Sequence, residues 1–185
     1  MSKLEEIASR VELYSSKSKS SVTLFGGSFH PFHDGHLECL NQCSEYEDNI
    51  IIVLDYSPWK SNEQEDPYGE YLKIKEATGE RFPIYTGFWA QKLRRPTYEW
   101  LQEVKYPEVN WLMGDDTFGS FLKWFEVEKV CQFLTKIYVV PRDEKMDEYR
   151  EVEKKIKNYN SKIEVIYLRP HDYQNLSSTK IRSNK

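Results

Sequence analysis

Three histidines stand three residues apart in the segment TLFGGSFHPFHDGHLECL, Thr23–Leu40: His30, His33 and His36. Imidazoles can ligate a metal, move a proton or donate hydrogen bonds to an anion. Metal ligation would need the rings to converge. Pro31 disfavours helical backbone at His30, Gly35 lies inside the run, and no Asp, Glu or Cys constellation completes a ligand set, so no resident metal is expected. The anion reading fits better. Gly26-Gly27 directly follows the apolar stretch Val22–Phe25 and lets a ligand approach the backbone closely. A helix capped by Asp34 would turn its free N–H groups and positive dipole end toward that ligand. His33 and His36 flank this helix start, where ring N–H donors can hold phosphate oxygens and stabilise charge developing on phosphorus. The segment lacks GxxxxGK[ST], so it is not a Walker loop.

The elements that must carry this segment can be read from apolar runs and breakers. Strands are expected at Val22–Phe25, Ile50–Leu54, Val109–Gly114, Lys136–Val140 and Lys162–Leu168. A further strand at Phe82–Gly87 is placed at an edge or a strand start by Pro83. The run IIIVL does not alternate, as expected of a strand buried on both faces. Helical patterns lie between the strands: from Asp34, Pro67 to Ala77 with Asp66 as cap, Thr97 to Val104, Asp116 to Trp124, Glu126 to Phe133, and Asp143 to Asn158. Strands alternating with helices give an α/β fold, a Rossmann-like parallel sheet of about five strands with helices on both faces. Ligands of such sheets bind beyond the carboxyl ends of the strands, here Gly26, Asp55 and Gly114 onward. Residues 1–21 read as an N-terminal helical extension, with a helix over residues 3–14, and a Ser/Lys-rich linker; residues 22–185 read as the catalytic-size domain.

Composition narrows the classes. The 185 residues suit one domain, and 39% hydrophobic against 30% charged residues permits a packed core. A net charge of −4 argues against a general nucleic-acid binder. No apolar stretch approaches the roughly 20 residues of a membrane span, and the first 21 residues hold no signal-peptide core, so a soluble cytoplasmic protein is expected. The three cysteines read as reduced, partly buried thiols, with Cys39 and Cys43 on one helix face. The oligomeric state is left open, with a homo-oligomer compatible.

GGSFHPFHDGH (Gly26–His36) resembles the GGxFxPxHxGH signature of the HxGH nucleotidyltransferases, and most closely that of the nicotinate/nicotinamide mononucleotide adenylyltransferase family. Five further segments agree in order: PWK (Pro58–Lys60), PTYEWL (Pro96–Leu101), MGDD (Met113–Asp116), Trp124 eight residues after Asp116, and LSSTKIR (Leu176–Arg182). The resemblance implies the HxGH nucleotidyltransferase fold and adenylyl transfer from ATP, with Mg²⁺ on its phosphates, to a pyridine mononucleotide, releasing pyrophosphate in NAD biosynthesis. It implies His36 and His33 at the ATP phosphates and Arg182 gripping the β- and γ-phosphates, with Ser177, Ser178 and Thr179 adding donors. Lys60 would meet phosphate, and Asp116, after Gly114, the ribose of the ATP moiety. Trp124 would stack on the pyridine ring, Thr97 would donate to its substituent, and Gly26, Gly27, Ser28 and Phe29 would give backbone contacts to both substrates. Arg142 follows a strand where the family often has an arginine, and carries no assigned role.

His30 departs from the family's usual Asp, and three residues follow Arg182 where the family usually continues by a helix or two. The N-terminal extension is expected to take up that missing helix's place. Competing acceptors within the superfamily are disfavoured: phosphopantetheine enzymes usually read TxGH, and cytidylyltransferases usually lack SSTxIR. A non-catalytic nucleotide-binding homologue is the remaining alternative, against which the intact His33, His36 and Arg182 argue. Nicotinate and nicotinamide acceptors are not distinguished.

Overall fold

The computed structural model describes residues 1–57, 66–141, 145–173, 175–176 and 178–183, with the side chains at 178 and 179 outside that description. Its centre is a six-stranded, all-parallel sheet in the order β3-β2-β1-β4-β5-β6. The strands are β1 (Ser21–Gly27), β2 (Ile50–Leu54), β3 (Ile84–Tyr85), β4 (Glu108–Met113), β5 (Lys136–Val139) and β6 (Glu164–Tyr167). The order reverses between β1 and β4, the doubly wound arrangement in which ligands sit at the reversal.

The non-alternating strands have two cores to serve. Leu24, Ile51, Val53, Trp111, Met113, Ile137 and Val139 face one, with Trp100, Phe118 and Phe121 from the helices above. Phe25, Ile50, Ile52, Leu54, Leu112 and Tyr138 face the other, against Leu40 and Ile74. Successive side chains therefore enter opposite layers, which is why the run IIIVL is apolar throughout. β3 is the edge strand that Pro83 implied, cut to two residues, and it brings the strand count to six.

The helices are α1 (Lys3–Ser9), α2 (Asp34–Cys43), α3 (Pro67–Ala77), α4 (Gly87–Ala90), α5 (Thr97–Leu101), α6 (Asp115–Ser120), α7 (Val127–Phe133), α8 (Met146–Tyr159) and α9 (Ser178–Ser183). α3 starts as expected: the Asp66 carboxylate accepts from the Gly69 N–H at 2.9 Å, with Pro67 as first helical residue. No helix among the described residues is long and apolar enough to cross a membrane. The three cysteines are buried, which pushes their thiols up to about 12 and leaves them unreactive.

Two expectations are corrected here. The helix expected over residues 3–14 stops at Ser9, because the following turn delivers Leu13 into the core at 1% exposure. The chain there is tied down by backbone acceptors: Tyr106 donates its hydroxyl to the Glu12 carbonyl, and the Lys105 N–H donates to the Tyr14 carbonyl. α1 itself packs against α4 and β3, with the Thr86 hydroxyl donating to the Leu4 carbonyl at 2.6 Å. The second correction concerns the start of α2. The cap is His33, and Asp34 is the first helical residue.

Candidate active site

The carboxyl ends of β2, β1 and β4 lie side by side at one edge of the parallel sheet. β1 ends in Gly26-Gly27, and a Cβ on Gly26 would stand 2.8 Å from Cζ2 of Trp111 in β4. Any side chain at Gly26 would thus press on the Trp111 ring from the neighbouring strand. Phe29 then takes a left-handed φ of +45°, an uncommon conformation for a bulky residue, and folds its ring back over Gly27. This turn throws the histidine segment across the strand ends. Ser28 is half-buried within it.

His33 and His36 cap α2 reciprocally. The Gly35 N–H donates to Nδ1 of His33 at 3.1 Å, and the His33 N–H donates to Nδ1 of His36 at 3.2 Å. Each ring spends Nδ1 as an acceptor, which places its proton on Nε2. The rings stack at 3.7 Å between centroids, and His36 is boxed by Phe25, Phe29 and Phe32. Burial, reinforced by the neighbouring His33, holds His36 down to about 3. Burial lowers His33 as well, with His171 adding to the shift and Asp34 opposing it. At neutral pH the pair is therefore uncharged and presents two Nε2–H donors above the start of a ten-residue helix.

The distant motifs converge on this segment to different degrees. The chain after β6 returns over α2, with the Tyr173 carbonyl 3.5 Å from where a Cβ on Gly35 would stand. α9 follows, and its Arg182 donates to the His30 carbonyl. Arg182 is thus joined to the histidine segment although more than 150 residues separate them in sequence (Arg182 and His30 are 152 apart). Gly114 is the residue before α6 at the end of β4, in extended backbone with open space around it. The two acids that follow are separated by the fold. Asp115 is buried, accepting from the Tyr149 hydroxyl and from Lys145 Nζ at 3.4 Å, while Asp116 is exposed in the first turn of α6.

Trp124 is half-buried and packs edge-on against Trp111 at 5.4 Å and Phe121 at 5.0 Å. Thr97 is the first residue of α5, and Pro96 occupies the cap position. Its neighbour Tyr98 packs against Phe125, the neighbour of Trp124, at 6.4 Å, so the two motifs share one wall of the molecule. Lys60, Ser177 and Arg142 lie outside the described residues, as do the side chains of Ser178 and Thr179.

His30 turns away from the other two rings. Among the described residues its buried Nδ1 has no hydrogen-bond partner, and it lies 3.8 Å from Oε2 of Glu70 on α3. A cavity of about 580 Å³ adjoins it, lined by Phe32, Glu70, Lys73, Ile181 and Arg182. A second carboxyl went unassigned in the sequence. Asp55, the residue after β2, donates its N–H to the Gly27 carbonyl at 2.9 Å, and its Oδ2 lies 3.7 Å from where a Cβ on Gly26 would stand. Burial pushes that carboxyl up to about 7. Its position after a buried strand was legible; the lack of a counter-charge beside it among the described residues was not.

Residues 24–184 match the family model described as Cytidylyltransferase-like. A protein of Bacteroides thetaiotaomicron named "Probable nicotinate-nucleotide adenylyltransferase" is 30% identical over 136 residues, covering 68% of this chain and 66% of that protein. A protein of Bacteroides fragilis with the same name is 31% identical over 135 residues, covering 68% and 67%. The match thus spans about two thirds of the length of these relatives. Among solved structures, the nicotinic acid mononucleotide adenylyltransferase of Plasmodium falciparum complexed with APC superposes with a TM-score of 0.63 at 18% identity, covering 89% of this chain and 83% of that one. A putative nicotinate-nucleotide adenylyltransferase of Vibrio parahaemolyticus gives 0.51 at 18%, covering 89% and 86%.

Proposed function

The chain belongs to the cytidylyltransferase-like family of nucleotidyltransferases, among the nicotinate-nucleotide adenylyltransferases, and from that premise we propose that it transfers the adenylyl group of ATP to nicotinate mononucleotide. The products would be the dinucleotide and pyrophosphate. The observation that carries the reading is the neutral His33–His36 pair, two Nε2–H donors at a helix start with Arg182 joined to the same segment. Both substrates are anions, and neutral N–H donors that keep their protons suit phosphate oxygens whose charge must be stabilised without an acid.

The acceptor's 5′-phosphate oxygen attacks the α-phosphorus of ATP in line. The bond from that phosphorus to the bridging oxygen breaks, and pyrophosphate leaves with the electron pair; no covalent enzyme intermediate is involved. His36 Nε2–H donates to a non-bridging α-phosphate oxygen through transfer, and His33 does so beside it. Arg182 would leave the His30 carbonyl to grip the β- and γ-phosphates, for which its planar fork is suited. Gly26, Gly27, Ser28 and Phe29 bring backbone up to both substrates. Lys60, Ser177, Ser178 and Thr179 would add phosphate contacts, and Asp116, exposed after Gly114, would accept from the hydroxyls of the ATP ribose. Trp124 and Thr97 would hold the pyridine ring and its substituent.

No group of three or more His, Cys, Asp or Glu among the described residues is placed to hold a metal ion. The donors here, imidazole N–H, guanidinium and backbone amide, fit phosphate oxygen, so Mg²⁺ is expected to arrive on ATP and to neutralise charge on its phosphates. Pyrophosphate release from ATP, Mg²⁺ and either pyridine mononucleotide tests the reading. Turnover with nicotinate mononucleotide supports it; none with either acceptor, from folded protein that binds ATP, refutes it.

A further inference from the structure

Asp55 is half-buried at the end of β2, with its Oδ2 beside Gly26. A carboxyl in such a place is ordinarily met by a cation, by N–H and O–H donors or by water. Among the described residues its side chain has neither a hydrogen bond nor an ion pair. β1 presents the Gly26-Gly27 backbone, β4 presents Trp111, whose Cζ2 edge covers Gly26 and whose Nε1–H makes no hydrogen bond among the described residues, and α4 presents Trp89, whose Nε1–H goes instead to the Asp55 carbonyl at 3.0 Å. The position is also fixed rather than adaptable, because the Asp55 N–H is bonded to the Gly27 carbonyl.

The surroundings select the partner. Substrate phosphates and a nicotinate carboxylate would be repelled, so what faces Asp55 in the complex must donate hydrogen bonds. Trp111 covers Gly26 together with Asp55 and carries Trp124 edge-on against it, which puts Asp55 on the Trp124 side of the strand ends. Asp116 lies after β4, so one carboxyl stands at each strand end flanking β1. A dinucleotide product has two riboses. On the reading that this is an adenylyltransferase, we propose that Asp55 is a specificity-determining residue that accepts hydrogen bonds from the ribose hydroxyls of the acceptor mononucleotide. Only an acceptor carrying its sugar diol then supplies the donors that Asp55 lacks.

The test compares wild type, Asp55→Asn and Asp55→Ala, each shown folded by its melting curve. The acceptors are nicotinate mononucleotide and its 2′-deoxy and 3′-deoxy forms, with pyrophosphate release and calorimetric acceptor binding as readouts. In wild type, removing a hydroxyl should lower kcat/KM and weaken binding by about 10- to 100-fold, the scale of a hydrogen bond to a charged group. In Asp55→Ala the ribo and deoxy acceptors should come within about threefold of each other, with the KM for ATP unchanged. Asp55→Asn, which keeps the shape, should fall between. If Asp55→Ala still rejects the deoxy acceptors as wild type does, or if the KM for ATP rises in place of the acceptor's, the assignment is overturned. Absence of turnover by wild type with every acceptor would instead refute the adenylyltransferase reading, and this inference with it.

Discussion

His36 should resist protonation far below the pH at which a free histidine charges, and the resistance should be measurable as stability. A free imidazole titrates near 6.5. Burial among Phe25, Phe29, Phe32 and His33 holds His36 down to about 3. The difference of about 3.5 units, at 1.36 kcal/mol per unit, corresponds to roughly 5 kcal/mol. The sign follows from which state binds the proton. The unfolded chain takes it up below pH 6.5 and the folded chain only near pH 3, so the contribution is fully present above pH 6.5 and drains away as pH falls toward 3. Carboxylates titrate in the lower part of this window, so the comparison is with His36→Asn, which keeps a hydrogen-bonding side chain but cannot charge. Urea unfolding at pH 7, 6, 5 and 4 should show wild type losing stability faster than the variant. The widening should approach about 1.4 kcal/mol per pH unit below 6. The His36 ring carbon resonances should stay in the neutral position down to about pH 4. A midpoint near 6.5 in those resonances would refute the argument, since it would make His36 an imidazolium at the working pH and a candidate proton donor.

Other consequences concern packing. Gly26→Ala places a methyl 2.8 Å from Trp111, which must shift together with Trp124; a loss of about 1–3 kcal/mol and a weakened acceptor KM are expected. Gly114→Ala meets open space in ordinary extended backbone, and its melting temperature should stay within a degree or two of wild type. Leu13→Ala removes a side chain that is 1% exposed in the main core, and should cost about 2–5 kcal/mol in urea unfolding although it lies outside the β1–β6 sheet.

The strands were the most legible part of the chain, because IIIVL and its fellows must be apolar on both sides to sit between two helical layers. Helix ends were less so. His33 caps α2 because its ring can reach the Gly35 N–H, a geometry that residue preference for Asp at caps does not anticipate. The short α1 follows from Leu13, whose burial depends on β4 and its approach segment, far away in sequence. In the site, the placing of His33 and His36 together at one helix start was readable, but their tautomer was not, since that depends on two backbone N–H groups. MGDD offered two acids of one type; only the reach of Tyr149 and Lys145 to Asp115 separates the buried acid from the exposed one. His30, the departure from the family's Asp, faces Glu70 of α3, a partner 40 residues away that no motif signals.

We propose adenylyl transfer with His36 as a neutral donor to the α-phosphate. Pyrophosphate release measured with ATP, Mg²⁺ and nicotinate or nicotinamide mononucleotide, on wild type and on His36→Ala confirmed folded, tests it most directly. The account predicts turnover with nicotinate mononucleotide and a fall of at least about 10²–10³ in kcat in the variant. Turnover that survives in His36→Ala, or none by wild type with either acceptor, would contradict it.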